Sequence, residues 1–127
     1  MSLRGIIRRP DSGPLGSEEE VMVRLSEAFP GVQFKYEAEE PPGMAMARGQ
    51  MSIWLRRWLF VFGTDTPYPR RYGYFQRASG GTVEFYFVAE QPVRWIEATS
   101  YGMTAGLDEN FDRLAAATGW RIVYPRF

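Results

Sequence analysis

Apolar and polar residues alternate in several short stretches of the chain, and this two-residue period predicts β-strands. The clearest alternation lies at 82–90, where apolar side chains occupy every second position from Val83 to Ala89 and Glu84 begins the opposite face. A glycine-bearing link at 79–81 favours a hairpin with the strand before it. Weaker alternation predicts further strands at 4–9, 32–38, 72–78, 93–99 and 120–124.

Apolar residues recur at helical spacing in two other stretches. Ser17 followed by Glu20 is a capping-box pattern, so the first helix is expected to begin there and to end before Pro30. The second helix is expected from Leu107 until Gly119 stops it. The run 51–62 has helical spacing but also many strand-favouring residues, so it is interpreted as a helix with a strand as the alternative.

The order of these elements predicts a single α+β domain spanning 1–127. It reads β-α-β, then the ambiguous run, then three strands, a helix and a last strand, with two or three helices packed on a mixed or antiparallel sheet of about five to six strands. The segment 63–71 contains Pro67 and Pro69 and is expected to connect elements rather than to pack. Residues 1–3 are open to a second interpretation, as a remnant of cloning.

The composition excludes several kinds of chemistry. The chain has no histidine and no cysteine. Disulfides, thiolate catalysis, cysteine-bound zinc and the Ser–His–Asp triad are therefore excluded, and no cofactor or metal is expected. A cytoplasmic location fits the lack of cysteine, and the arginines near the N-terminus interrupt any apolar signal or membrane anchor. Aromatic residues, by contrast, make up 16% of the chain.

Charge is balanced overall but segregated along the chain. The formal net charge is zero, yet 17–40 carries seven acids against two bases, net −5, and 48–77 carries six arginines against one aspartate, net +5. A neutral total argues against nonspecific nucleic-acid binding by the whole protein. The interleaved arginines and rings of 54–77 nevertheless leave a binder of single-stranded nucleic acid or nucleotides as an alternative.

Two further patterns suggest sites of lower specificity. The loop 100–106 could hold an anion through Gly102, Thr104 and Gly106, although a turn capped by its own hydroxyls is the simpler interpretation. Carboxylates offer acid–base pairs or oxygen ligands, but their spacing shows no convergence, and a solvated acidic face is favoured. These carboxylates are Glu37, Glu39, Glu40, Glu84, Glu90, Glu97 and Asp108.

The favoured hypothesis is a non-catalytic protein that binds another macromolecule, most simply another protein, as an accessory, antitoxin-like or immunity-type module. Tyrosine, tryptophan and arginine are the side chains enriched at interface hot spots. An enzyme using carboxylate, tyrosine or arginine groups stays a third class. No membrane association is expected, and the sequence predicts no particular oligomeric state. The expected contact residues are Trp54, Arg57, Trp58, Tyr72 and Tyr74.

Overall fold

A computed structural model describes residues 2–40, 66–77, 81–102 and 109–124. Within these residues the chain forms six strands and two helices, which confirms the α+β class. The strands are β1 (Ser2–Arg8), β2 (Gln33–Glu37), β3 (Arg70–Gln76), β4 (Thr82–Val88), β5 (Ile96–Tyr101) and β6 (Arg121–Val123). The helices are α1 (Glu18–Ala28) and α2 (Glu109–Thr118). The ambiguous run 51–62 lies outside the described residues.

The strands form one antiparallel sheet in the order β2-β3-β4-β5-β1-β6. The predicted meander is β3-β4-β5, and its hairpin link is closed by a 2.7 Å hydrogen bond from the Arg77 amide to the Gly81 carbonyl. β1 lies between β5 and β6, so the first strand of the chain joins the meander to the last strand.

Both helices pack on one face of this sheet. The predicted apolar face of β4 is fully buried there, and the Phe29 ring at the end of α1 lies 5.4 Å from that of Phe85. On α2, Phe111 and Leu114 are fully buried. Ser17 caps α1 as predicted, because its side-chain oxygen accepts a 3.1 Å hydrogen bond from the Glu20 amide. The core therefore lies between the sheet and the helices.

Three local expectations are wrong. The alternation at 32–38 puts Tyr36 on the same face as Phe34, and hence toward the core, yet Tyr36 is 49% exposed. The reason is that β2 is the edge strand of the described sheet and the ring lies at its margin. Ser100 and Tyr101 belong to β5 rather than to a loop. The segment before β3 also packs, since Thr66 is fully buried and Arg70 is 5% exposed.

Candidate binding face of the sheet

The face of the sheet opposite α1 and α2, called here the polar face, carries charged side chains and tyrosines. Side chains of a strand alternate between the two faces, so the residues between the core positions of β1, β3, β4 and β5 must point this way. Glu37 of β2 joins them through its pairing with Arg70. The charged, hydroxyl-bearing and aromatic residues of this face include Arg4, Lys35, Arg70, Tyr72, Tyr74, Glu84, Tyr86, Glu97, Thr99 and Tyr101.

Arg70 is enclosed at one end of the polar face. Its Nε donates a 2.7 Å hydrogen bond to Glu37 Oε1, and its Nη1 donates to the Thr66 carbonyl at 3.2 Å. The guanidinium lies 4.1 Å from the centroid of the Tyr68 ring and 4.8 Å from that of Tyr86. A planar guanidinium suits such stacking. Arg70 therefore contributes to the protein's own packing and is not free to meet a ligand.

Glu97 is buried near the middle of the same face, at 4% exposure. Its Oε2 accepts a 2.9 Å hydrogen bond from the Thr66 hydroxyl, and its Oε1 lies 3.5 Å from Arg4 Nε. Both oxygens are thus engaged within the fold, as a buried carboxylate requires. Thr66 precedes β3 and reaches β5, so the segment before β3 crosses over this end of the face.

Four half-buried tyrosines surround Glu84; we call this group the tyrosine cluster. The Tyr72 hydroxyl donates a 3.0 Å hydrogen bond to Glu84 Oε1, and the Tyr101 phenol lies close enough to the same carboxylate for the Glu84 charge to raise its pKa. Tyr74 stands directly opposite Glu84 in the pairing of β3 with β4. Tyr86 follows two residues along β4, and its ring lies 4.9 Å from that of Tyr72. The cluster thus combines one carboxylate with several rings.

Three phenols of this cluster, those of Tyr72, Tyr86 and Tyr101, stay protonated. Burial, together with the neighbouring Glu84 charge, raises the pKa of Tyr72 and of Tyr86 well above the ordinary value of 10.0. The same two causes raise the pKa of Tyr101. A phenol that holds its proton serves as a hydrogen-bond donor and not as a base or nucleophile. The chemistry of the cluster is therefore recognition by hydrogen bonds and ring faces.

Glu84 differs from the other two carboxylates of the polar face in its partners. Glu37 pairs with Arg70, and Glu97 pairs with Arg4. Within the described ranges, by contrast, no arginine or lysine forms an ion pair with Glu84, whose Oε1 accepts a hydrogen bond from the Tyr72 phenol. The sheet thus presents one half-exposed negative charge that no cation of the described chain neutralises.

Of the expected contact residues, the structure brings Tyr72 and Tyr74 together on the polar face. Trp54, Arg57 and Trp58 lie outside the described residues, and so do Thr104 and Gly106 of the anion loop. Gly102 lies within the described residues, and its φ of 153° is one that residues other than glycine rarely adopt. These partner and anion assignments stay predictions.

The described arginines of the basic segment are committed to acidic partners. Arg71 Nε lies 3.4 Å from Glu18 Oε2, and Arg77 Nη2 lies 2.9 Å from Glu109 Oε2. Arg70 pairs with a carboxylate as described above. Little positive charge is therefore left on this part of the segment to meet phosphates.

Sequence reasoning listed Glu84 and Glu97 but saw no convergence between them, and it did not single out Tyr86, Tyr101 or Arg4. The alternation of β4 already placed Glu84 and Tyr86 on one face. Tyr101 falls in a stretch that the sequence predicts as a loop, although it ends β5. The signal that joins these residues is the register of β4 with β5, in which Tyr86 stands opposite Glu97.

Comparisons with known proteins add no family or fold relative. No protein-family model, no curated protein and no solved structure matches the chain. No helix within the described ranges is long and apolar enough to cross a membrane. The same residues contain no group of three or more acidic side chains placed to hold a metal ion. Functional inference therefore starts from the polar face.

Proposed function

We propose that this protein is a non-catalytic, cytoplasmic module that binds another protein, of the accessory, antitoxin-like or immunity type. The binding surface is the part of the polar face formed by the tyrosine cluster. The observation that carries this proposal is the grouping of half-exposed tyrosines around Glu84 on rigid strands. The cytoplasmic location rests only on the cysteine-free sequence.

Tyrosines suit an interface for physical reasons. Each ring buries a large apolar area at a small cost in side-chain entropy, while its hydroxyl can donate or accept a hydrogen bond. Tyr72 and Tyr86 support each other through ring contact, and both are carried by central strands of the sheet. The cluster is thus held in place before a partner arrives, which lowers the entropy lost on binding.

The alternatives receive less support from the same face. Rings on a sheet can stack on bases, but the charge of Glu84 at the centre of the cluster repels phosphates. An enzyme would need a group placed to transfer a proton, whereas Tyr72, Tyr86 and Tyr101 hold their protons. Of the carboxylates, Glu97 is engaged by Arg4 and Thr66, and Glu84 accepts a hydrogen bond from Tyr72. Recognition of a protein surface makes use of every group in the cluster.

Site-specific photo-crosslinking in the native cells tests the proposal. A photoreactive phenylalanine analogue at position 74 should capture a discrete protein, whereas the analogue at Val23 should not. Val23 is the matched control because it is 55% exposed on α1, on the opposite side of the sheet. Tyr74→Thr, which keeps a strand-favouring residue, should weaken binding of the captured protein at least tenfold in a calorimetric titration.

Equal capture from positions 23 and 74, or full binding by a folded Tyr74→Thr variant, would show that the proposal is wrong. Circular dichroism and the melting temperature establish that the variant is folded. Capture of RNA or DNA in place of protein would instead favour the nucleic-acid alternative, and its affinity should then fall steeply with salt.

A further inference from the structure

We infer that the tyrosine cluster is a receptor for an ammonium group, supplied by a lysine side chain of the partner protein. The inference rests on the proposed function for the source of that lysine. Its chemistry rests on the Glu84 carboxylate and the rings of Tyr72, Tyr74, Tyr86 and Tyr101. It specifies what the binding face recognises.

The polar face itself shows how such a carboxylate is normally satisfied. At Glu97 an arginine and a threonine hydroxyl meet the two oxygens, and at Glu37 an arginine meets one of them. Glu84 has the phenols in place of the hydroxyl but, within the described residues, no cation in place of the arginine. A partner cation would complete the same arrangement.

The chain's own lysine does not fill this position. Lys35 is the single lysine of the sequence, and it stands opposite Tyr72 on the edge strand β2. Its side chain is exposed, and no ion pair joins it to Glu84. Lys35 therefore borders the cluster at Tyr72, but β3 separates it from Glu84, and the carboxylate is left to an external ligand.

The rings add to the attraction of the carboxylate. An aromatic face carries negative charge density, and a cation above it is stabilised, most strongly when water is excluded. Tyr74 faces Glu84 directly across the pairing, at a separation that lets both side chains touch one ligand. Rings combined with a carboxylate form the kind of site that protein cages use for ammonium groups.

The geometry favours lysine over arginine. A guanidinium binds a carboxylate best through two parallel hydrogen bonds, one to each oxygen. At Glu84 the Tyr72 hydroxyl already donates to Oε1 at 3.0 Å, so a bidentate guanidinium would have to share that oxygen with the phenol. A compact ammonium can donate to the remaining oxygen and still lie against the rings, because its three donors need no fixed plane.

Nuclear magnetic resonance titration of the purified protein tests the inference. The probe is Nα-acetyl-lysine methylamide, and its Nε-acetylated form, which has no charge, is the matched ligand control. The tyrosine ring signals should shift with the charged probe, with a dissociation constant in the millimolar range, and should not shift with the neutral one. An arginine analogue should bind more weakly than the lysine probe.

Glu84→Gln should weaken the lysine probe about tenfold, which corresponds to about 1.4 kcal/mol. Glu19→Gln is the matched protein control, since it removes an exposed carboxylate from α1 and should leave binding unchanged. If Glu84→Gln fails to fold, Tyr72→Phe replaces it. That variant frees Oε1 of the carboxylate, so the lysine probe should bind at least as tightly as before.

Three results would overturn the inference: no shift of the tyrosine signals, equal shifts with the acetylated probe, or unchanged probe binding by a folded Glu84→Gln variant. The crosslinked partner separates this inference from the proposed function. If Tyr74→Thr abolishes partner binding while Glu84→Gln does not, the module is supported and lysine capture is wrong. If the probe binds but position 74 captures no protein, the ammonium receptor is supported and its source in a partner is wrong.

Discussion

Gly73 offers a quantitative test of how the sheet is packed beneath the tyrosine cluster. It lies on β3 between Tyr72 and Tyr74 and points to the helix side. Its pairing partners are Phe34 of β2 and Phe85 of β4. A β-carbon added at Gly73 would lie 2.9 Å from Phe34 Cε1 and 3.4 Å from Phe85 Cδ2. The two rings close over the space that the glycine leaves.

Gly73→Ala should therefore destabilise the fold. Overpacking of a formed core costs about 1–3 kcal/mol, and about 2 kcal/mol is reasonable here because the half-buried Phe34 ring can move outward. Replacing a strand glycine returns about 0.5–1 kcal/mol through the lower entropy of the unfolded chain. The expected net loss in the free energy of unfolding is about 1 kcal/mol.

Urea unfolding of four proteins measures this loss and assigns its cause. They are the wild type, Gly73→Ala, Phe34→Ala and the double variant. Once the Phe34 ring is removed, the added methyl group meets open space on that side, so Gly73→Ala should become neutral or stabilising. An equal cost with and without Phe34 would refute the steric reasoning and would point to the backbone instead.

Three other perturbations have defined outcomes. Glu97→Gln removes a buried charge that faces an arginine and a threonine hydroxyl, so the free energy of unfolding should fall by about 2–3 kcal/mol in urea titrations, and no change would mean the pair adds nothing. The pKa values of Tyr72, Tyr86 and Tyr101 are raised in the fold, so the folded state favours the protonated phenols. The contribution of these phenols to the free energy of unfolding should be complete below pH 10.0 and should be lost as the pH rises further. Phenolate absorbance should then appear together with unfolding. Ser17→Ala should lower the free energy of unfolding by about 1 kcal/mol, while Ser17→Asp should restore most of it.

Local sequence patterns predicted the elements in which the alternation or capping signal of the element itself determines which residues are buried. Alternation in β4 identified Val83, Phe85 and Phe87, all of which are fully buried, and the capping signal at Ser17 located the start of α1. The pattern failed for Tyr36, because burial at an edge strand depends on whether a helix reaches that far. Whether a helix covers the edge strand is determined by packing between elements, and the alternation within the strand does not show it.

Only the part of the candidate site that lies on a single strand could be predicted from the sequence. Tyr72 and Tyr74 share a face by simple alternation, and both were expected as contacts. Their grouping with Glu84 and Tyr101 depends on the register of three strands, which the sequence of any single strand does not specify. The role of Thr66 was unpredictable in the same way, since its hydrogen bond to Glu97 joins positions that only the folded sheet brings together.

The position of β1 has a consequence for the order in which the protein can be made. Leu3 pairs with Ser100, and Ile7 pairs with both Ile96 and Ile122. β1 is synthesised well before its two partners, β5 and β6, and its backbone stays unpaired until they have followed it. An unpaired strand is a template for wrong association, and the charges of Arg4 and Arg8 within β1 oppose stacking of nascent copies during that delay.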